Sequence, residues 1–336
     1  MDFNPGLLVL FAAAPLATAS AGLAFGQTAP VDPSTLTTIT PRSTIFLTQI
    51  DDVKPGTGCN ATTRGACLRV RFRVLQVLSD PAQQGLGSGP FDGLISGPAR
   101  FTPPVGGAIA WSRQDVVSGQ RYLVFSNGTG LPAMFESPTS MRKVTDDEDS
   151  VGDVELILAT SGKSLRERAS MVAEGIRHTR VPRTYSLAEY AEMLIAFGSE
   201  FDTEQLAQSI TEMPPGTFSY GARQTLLSGL HRYLTVNKNP NDTALRVFVS
   251  AVSRFFVEAP DSPDASEPDE RMPILQQYVP WIAGSVKARI ALRSELSLKT
   301  AEQLIAKLDA LGKGQRFPAD QLERARQLVV ETLAPR

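Results

Sequence analysis

The sequence predicts an α+β protein in which a β-sheet half is followed by an all-α half. In residues 67–78, CLRVRFRVLQVL, apolar residues alternate with arginines at a period of two, which places the two sets on opposite faces of a strand. From Leu165 onward the apolar residues recur at a period near 3.6, as on one face of a helix. We therefore predict a β domain over residues 43–160 and an α-helical domain over residues 161–336.

The composition is that of a globular protein with a balanced charge. The chain has 336 residues, of which 42% are hydrophobic and 20% charged, so it is long enough for two domains. Its 33 Lys and Arg nearly balance its 35 Asp and Glu. This balance lacks the positive excess that attracts nucleic acid or an anionic membrane. We therefore expect no nucleic-acid partner.

The N-terminus resembles an export signal in its composition. Residues 1–26 contain no Lys or Arg, and the apolar run 7–16 is followed by small residues. Cleavage after Ala21 or Gly26 fits this pattern. We predict a signal peptide over residues 1–26 and an extracytoplasmic location, periplasmic or secreted.

Two features of this segment leave an alternative open. It lacks the usual positive charge at its start, and residues 7–25 are nearly long enough to span a bilayer as an uncleaved anchor. The chain would then be a membrane-tethered scaffold. After cleavage we expect no membrane contact, and residues 27–42, rich in Pro and Thr, would form an extended leader.

Both cysteines of the chain, Cys59 and Cys67, flank a short polar loop. In an exported chain, two thiols this close favour a disulfide. Their spacing is not that of a CxxC redox pair, and two cysteines without a nearby histidine make a poor zinc site. We predict a disulfide that fixes the start of the central strand, and no metal site.

The β half is predicted to contain several short strands. The apolar phase slips by one residue after Val74, which predicts either a β-bulge or a strand that becomes fully buried. A tight turn is expected at 117–119 and an acidic surface loop at 143–155. The expected strands are 44–50, 68–78, 93–95, 107–111, 120–125 and 154–159.

The α half is predicted to contain about eight helices that pair antiparallel across short loops. Ser186 and Glu189 have the spacing of a capping box, Asp202 is a candidate cap for the following helix, and Pro280 predicts a kink or a new start. The acidic, proline-rich residues 258–271 are expected to be a solvated loop. The expected helices begin near residues 165, 186, 202, 219, 242, 273, 300 and 318.

Short motifs that could carry chemistry are incomplete. The run 161–164, SGKS, lacks the upstream glycine of a phosphate-binding loop, so we expect a turn with Ser164 as a helix cap. Residues 147–153 begin like a calcium loop but lack its later oxygen ligands, which favours a solvated hinge. Ser140 and Lys143 match the SxxK pattern of acyl-enzymes without its companion motifs. We expect no cofactor.

Only two histidines, His178 and His231, are present. Each is predicted to lie on a surface or a helix face, so the chain lacks the histidines that a catalytic triad or a histidine metal site would require. Glycosylation sequons begin at Asn60, Asn127 and Asn241 and matter only if the host glycosylates them. Acids are plentiful, so chemistry by a pair of carboxylates stays open.

The runs STIFLTQI, CLRVRFRVLQVL, GAIAW and SGQRYLVF, within residues 44–127, resemble the OB-type barrel of netrin and TIMP-like modules. The resemblance implies a five-stranded Greek-key barrel that binds proteins or glycans. The mature N-terminus offers no cysteine to chelate a metal, so a metalloprotease-inhibitor mechanism is not implied. On this resemblance the ligand site would lie on the strand face, and its residues would be Arg69, Arg71, Arg73, Trp111 and Tyr122.

Exposed arginines on a strand also serve solubility and edge protection, and this simpler role stays open for the three arginines. The function we predict is an exported binding or structural module with an unknown protein or glycan partner. The alternative is an extracytoplasmic hydrolase in which two carboxylates, at least one with a raised pKa, converge in a cleft between the two halves.

Overall fold

The computed structural model describes residues 44–56, 68–80, 89–95, 116–126, 134–135, 141–198, 200–236, 242–260, 269, 271–314 and 317–334. These residues form an α+β fold, with a sheet in the N-terminal part and helices in the C-terminal half. Several predicted features lie outside the described residues. They are the signal peptide, the leader, the strand 107–111, Cys59, Cys67, Trp111, Ser140 and the three sequon asparagines.

The sheet has six strands in the order β5-β3-β2-β1-β4-β6. The pairings are antiparallel except that β5 runs parallel to β3. The predicted strands 44–50, 68–78, 93–95 and 120–125 are confirmed. The bounds are β1 Thr44–Pro55, β2 Leu68–Ser79, β3 Pro90–Ile95, β4 Arg121–Ser126, β5 Met134–Phe135 and β6 Met141–Lys143.

The predicted bulge in β2 is confirmed. The register passes from Leu47 opposite Gln76 to Thr48 opposite Val74, so Leu75 has no partner on β1. A second irregularity lies in β1 between Ile50 and Asp52. Bulges of this kind bend the strands and increase their twist.

The two faces of the sheet belong to two different hydrophobic clusters. One face, which we call the inner face, is a cluster of strand residues and Val116: Phe46, Ile50, Val70, Phe72, Val74, Phe91, Ile95, Tyr122, Val124 and Met141. On the opposite face Ile45, Leu47, Leu123 and Phe125 join the large cluster of the helices. The expectation that the two halves have separate hydrophobic interiors is therefore wrong, because β1 and β4 carry apolar residues on both faces.

The sheet is open, and closure into an OB-like barrel is not confirmed. Within the described ranges no pairing joins the two edge strands, β5 and β6, to close the sheet into a barrel. The β half is thus shown as a bent, mostly antiparallel sheet with one face against the helices.

Ten α-helices and one π-helix are present in the part of the chain that the structure describes. None of the described helices is both long enough and apolar enough to span a membrane. Their bounds are α1 Ser150–Ala159, α2 Leu165–Arg177, α3 Tyr185–Phe197, α4 Glu200–Glu212, α5 Tyr220–Val236, α6 Asp242–Glu258, the π-helix Ile274–Tyr278, α7 Val279–Gly284, α8 Val286–Glu295, α9 Leu298–Lys313 and α10 Ala319–Leu333.

The segment 154–159, predicted as a strand, is the second half of helix α1. Asp149 caps this helix, because its side chain accepts a hydrogen bond from the backbone N–H of Gly152. Val154 and Ile157 are buried one turn apart. A short apolar run does not distinguish a strand from a buried helix, and the cap upstream of the run decided the outcome.

Two predicted helix caps are also wrong. Helix α3 is capped by Thr184, whose hydroxyl accepts from the N–H of Leu187, so Ser186 lies inside the helix. Helix α4 begins at Glu200, so Asp202 lies within it. The cap at Ser164 is confirmed, since its hydroxyl and Glu167 form a reciprocal capping box, and Gly162 makes the turn before it with φ +71°.

The predicted break at Pro280 is confirmed, and it has a physical cause. Proline has no N–H, and its ring excludes the carbonyl one helical turn earlier. The preceding turn widens into the π-helix, in which the N–H of Val279 donates to the carbonyl of Ile274. A new helix, α8, then begins after Ser285, whose hydroxyl accepts from the N–H of Ala288.

Candidate functional site

The three arginines predicted for the ligand site lie together on one exposed face of β2. Arg69, Arg71 and Arg73 are exposed, whereas Val70 and Phe72 between them are fully buried. This follows from the period of two in the strand. We call the exposed side of β1, β2 and β3 that carries these arginines the arginine face.

Tyr122 does not lie with the arginines. It is fully buried and belongs to the inner face together with Val70 and Phe72. Trp111 lies outside the described residues. The structure therefore brings together three of the five predicted site residues and places Tyr122 on the other side of the sheet. No pattern in the sequence indicated this, because the run YLVF of β4 is apolar on both faces.

Arg73, at the end of the arginine face nearest the helices, is held by neighbours on β1. Its Nη2 donates to Oε1 of Gln49 at 2.5 Å, and its Nε lies 3.4 Å from Oδ1 of Asp51. These contacts orient the guanidinium along the sheet. The positive charge of Arg73 is thus largely matched within the face.

Arg71, in the middle of the arginine face, lies between two aspartates. Its Cα partner on β1 is Asp52 and its Cα partner on β3 is Asp92. The Nζ of Lys54 lies 2.5 Å from Oδ2 of Asp52. This hydrogen bond, together with the charges of Lys54 and Arg71, holds the pKa of the Asp52 carboxyl below its ordinary value.

Arg69, at the end of the face that leads to the cysteine loop, has a different environment. Its Cα partner on β1 is Lys54 and its partner on β3 is Leu94. In the ranges that the structure describes, no carboxylate forms an ion pair with Arg69. Like charges directly opposite one another destabilise a strand pair. Lys54 is, however, already held by Asp52, so the positive charge left without a neighbouring carboxylate on β1 or β3 is that of Arg69.

Sequence reasoning did not identify Lys54, Asp52 or Asp92 as part of this surface. They lie on β1 and β3, and only the strand register places them beside the arginines. The alternation of apolar and charged residues was visible in β2 but is broken in β1 by the bulge near Asp51.

A carboxyl with a raised pKa, that of Asp153, does occur next to a second carboxylate, but it is buried. Nη1 of Arg183 lies 2.9 Å from Oδ2 of Asp149 and 3.0 Å from Oδ1 of Asp153. Burial raises the pKa of Asp153 to about 6, against the hydrogen bond from Thr184 and the charge of Arg183. The second carboxylate acts in the same direction as burial.

This carboxylate pair connects helices and does not face a cleft. Asp153 is 1% exposed, and its second oxygen accepts from the backbone N–H of Thr184 at 2.6 Å. Arg183 also donates to the carbonyl of Gly175 at 3.0 Å. The expectation that residues 147–153 form a solvated hinge is wrong for Asp153, because the chain around Arg183 folds over it.

A second buried polar network joins the sheet to the helices. Arg142, on β6, is 6% exposed, and its guanidinium donates to the hydroxyl of Ser186 at 2.6 Å and to Glu148 at 3.1 Å. Glu148 also accepts from the hydroxyl of Ser150 at 3.0 Å. The network links β6, α1 and α3, so its role is structural.

Glu192 is another carboxylate with a raised pKa, and it lies where helices α3 and α5 come very close together. Burial raises the pKa of Glu192, on α3, although Arg232 lies 3.2 Å away. A Cβ added at Gly229 would lie 3.0 Å from the Cα of Glu192, so α3 and α5 are nearly in backbone contact there. The Glu192 side chain is 15% exposed and Asp153 is 1% exposed, so both carboxylates are largely shielded from solvent.

The two histidines differ in their surroundings. His178 is exposed, as predicted, and its Nε2 lies 3.0 Å from Glu174. His231 packs against the rings of Phe248, Tyr278 and Trp281, with centroids 5.2–5.8 Å away. Burial lowers the pKa of His231. This aromatic cluster was not visible in the sequence, because its members come from four separate elements.

A small apolar cavity lies between α6, the π-helix and helices α7 to α10. Its volume is about 40 Å³, and Ser253 is the polar residue of its lining. The hydroxyl of Ser253 donates to the carbonyl of Val249 at 2.9 Å, so it offers nothing to a ligand. Cavities with such linings stay dry, and this one has the character of a packing defect.

No group of three or more His, Cys, Asp or Glu within the described residues is arranged to hold a metal ion. Among the three arginines predicted for the site, Arg69 is the one that has no carboxylate beside it on β1 or β3 in the described residues. No protein-family model, curated protein or solved structure matches the chain.

Proposed function

We propose that the chain is an exported binding module that holds an anionic group of its partner on the arginine face, at Arg69. The observation that carries this proposal is the exposed position of Arg69 between Lys54, which is already held by Asp52, and Leu94. A bound anion would give Arg69 the partner that these two neighbours do not provide.

We also propose that the β half is a Greek-key barrel of the OB type. The order β5-β3-β2-β1-β4 places the first strand inside the sheet and carries later strands to both edges, as in a partly open five-stranded barrel. The inner cluster supports this, because its described members are strand residues and Val116, so the sheet curves around its own apolar face. In such a barrel the arginine face is the outer surface of strands 2 and 3, where OB folds bind ligands.

Export and the disulfide between Cys59 and Cys67 complete the proposal. They are supported by the composition of residues 1–26 and by the short loop between the cysteines. The mass of the chain recovered from the culture medium or the periplasm tests both. A mature chain that begins near residue 22 or 27 and is resistant to alkylation until reduced supports the proposal. A cytoplasmic chain with two free thiols contradicts it.

Binding is tested with anionic probes followed by NMR on the purified chain. Acidic peptides and a sulfated oligosaccharide derived from heparin are titrated at low and at physiological salt. We expect at least one of them to shift the resonances of Arg69. The variant Arg69→Gln should weaken binding at least tenfold.

Arg73→Gln is the matched control, because Arg73 is already held by Gln49 and Asp51. It removes the same charge from the same strand and should change the affinity less than twofold. Equal losses in both variants would mean that binding depends on overall charge alone, and an absence of binding by every probe would refute the proposal.

A further inference from the structure

Helix α8 carries two apolar residues on the side that faces away from the core. Its buried residues are Ala288, Ala291 and Leu292. On the opposite side Val286 and Ile290 are 62% and 57% exposed, and they are four positions apart, so they are neighbours on one face of the helix. We call these two residues the outer stripe of α8. Single exposed apolar residues are common on a protein surface, but these two form one continuous apolar contact.

Basic residues lie on both sides of the outer stripe. Successive residues of a helix are rotated by about 100°, which places Lys287 on one side of the stripe and Arg289 on the other. Both are exposed, and in the part of the chain that the structure describes neither forms an ion pair. Glu295, the acidic residue of α8, lies on the opposite side of the helix from Val286, and its Oε1 is 3.9 Å from Nε of Arg246. The two cations beside the stripe are therefore available to an acidic partner.

This arrangement is that of a helix that packs against another helix. In coiled-coil pairing, apolar residues four positions apart form the seam, and the charged residues beside the seam form ion pairs with the partner helix. Val286 and Ile290 have the first spacing, and Lys287 and Arg289 have the second position. Arg293, one turn further, donates to three backbone carbonyls at the end of α10 at 2.9–3.1 Å, so α8 is held in place beneath the stripe.

We infer that a helix of a partner protein, with acidic residues on both sides of an apolar stripe, docks on the outer stripe of α8. The apolar residues of the two helices pack together, and the carboxylates of the partner meet Lys287 and Arg289. This contact goes beyond the anionic group proposed to bind at Arg69, because it depends on no residue of the arginine face.

Two other occupants are disfavoured by the same residues. A second copy of α8 would bring its own Lys287 and Arg289 against the same cations, and like charges across an interface oppose binding. An anionic membrane would be approached by a chain of net charge −2, and the outer stripe lacks the Trp, Phe or Leu residues that helices commonly place in the lipid interface. An acidic helix matches both the stripe and its flanking charges.

The test compares three capped helical peptides with the same length and the same spacing as a coiled coil. The first has Glu beside a stripe of Ile and Leu, the second has Lys beside the same stripe, and the third has Glu beside a stripe of Ala. Like charges keep each peptide from pairing with itself. Each is titrated into the purified chain, and methyl NMR follows Val286 and Ile290. We expect the first peptide to bind at least fivefold more tightly than each of the other two.

Variants of the chain test which residues are responsible. Ile290→Gln should weaken the first peptide at least fivefold. The double variant Lys287→Glu, Arg289→Glu should weaken the first peptide at least fivefold and strengthen the Lys peptide by a similar factor. The matched control is Val330→Gln on α10, where the native valine is 51% exposed, and it should change each affinity less than twofold. All four positions are exposed, and an unchanged far-ultraviolet circular dichroism spectrum shows that each variant is folded.

Other results would overturn the inference. Equal binding of the Glu and Lys peptides, or of the peptides with Ile and Leu and with Ala, would exclude the proposed pairing. Co-sedimentation with vesicles of phosphatidylglycerol and phosphatidylcholine, tighter than binding to any peptide and lost in Ile290→Gln, would make the occupant a membrane. A dimer in analytical ultracentrifugation that Ile290→Gln abolishes would make it a second copy. If no peptide binds at millimolar concentration, the inference is overturned, whereas anion binding at Arg69 is unaffected.

Discussion

We expect the native chain to lose stability as the pH rises, because the pKa of Asp153 is raised in the folded state. We expect the Asp153→Asn variant not to lose this stability. Asp153 is 1% exposed and shares Nη1 of Arg183 with Asp149. One guanidinium therefore faces two carboxylates, of which Asp153 is buried and Asp149 is 42% exposed. Burial raises the pKa of Asp153 from 3.8 to about 6, so the folded chain binds this proton more tightly than the unfolded chain does.

The sign and size of the effect follow from this difference. A carboxyl with a raised pKa in the folded state contributes its stability fully below the unfolded value of 3.8 and loses it as the pH rises through about 6. A shift of roughly 2 units corresponds to about 3 kcal/mol. Between these two pH values the native chain should lose about 1.4 kcal/mol per pH unit relative to the Asp153→Asn variant.

The assay is urea unfolding of both proteins at constant ionic strength across this pH range. The control is Asp147→Asn, which removes the same charge from an exposed position six residues upstream and should keep the native pH dependence. A carbon-13 NMR titration of the Asp153 carboxyl measures its pKa directly. If the native chain instead gains stability over the variant as the pH rises, the bonds from Arg183 and Thr184 outweigh burial and the reasoning is refuted.

Three other predictions concern packing, a buried charge and a histidine. Gly229→Ala should destabilise the fold by about 1–3 kcal/mol because its Cβ would lie 3.0 Å from the Cα of Glu192. The control is Gly312→Ala, where the atom nearest to the new Cβ is 3.8 Å away. This variant should stabilise the fold by up to about 1 kcal/mol. Thermal unfolding measures both, and equal effects would contradict the close helix approach. Arg142→Met should cost about 3–5 kcal/mol in urea unfolding because it leaves buried partners without their donor, and a loss below about 1 kcal/mol would show that the network is dispensable. His231→Phe should gain stability over the native chain as the pH falls below 6.5, since burial lowers the pKa of His231, and parallel pH profiles of the two proteins would contradict this.

The candidate site could be predicted in part. The alternation in β2 correctly predicted that Arg69, Arg71 and Arg73 are exposed and that the residues between them are buried. The prediction succeeded because a strand with one polar face has a clear period of two. The same reasoning placed Tyr122 wrongly, since β4 is apolar on both faces. Lys54 and Asp92 were not found, because a residue on one strand carries no information about its partner on the next.

The sequence by itself determined the local structure wherever its period was clear. It determined the phase slip in β2, the helices that follow Leu165, the cap at Ser164 and the break at Pro280, because each depends on residues within a few positions of one another. Where a run was short and wholly apolar, as in residues 154–159, two local structures were equally compatible with it.

Only the tertiary structure decided which distant residues meet. The pairing of Arg69 with Lys54 depends on the register of two strands, and the buried contacts of Arg183 with Asp153 and of Arg142 with Ser186 join residues 30 and 44 positions apart. Burial then set the charge state of Asp153. These outcomes depend on which groups lose contact with water when the chain folds, and that loss is a property of the whole packed chain.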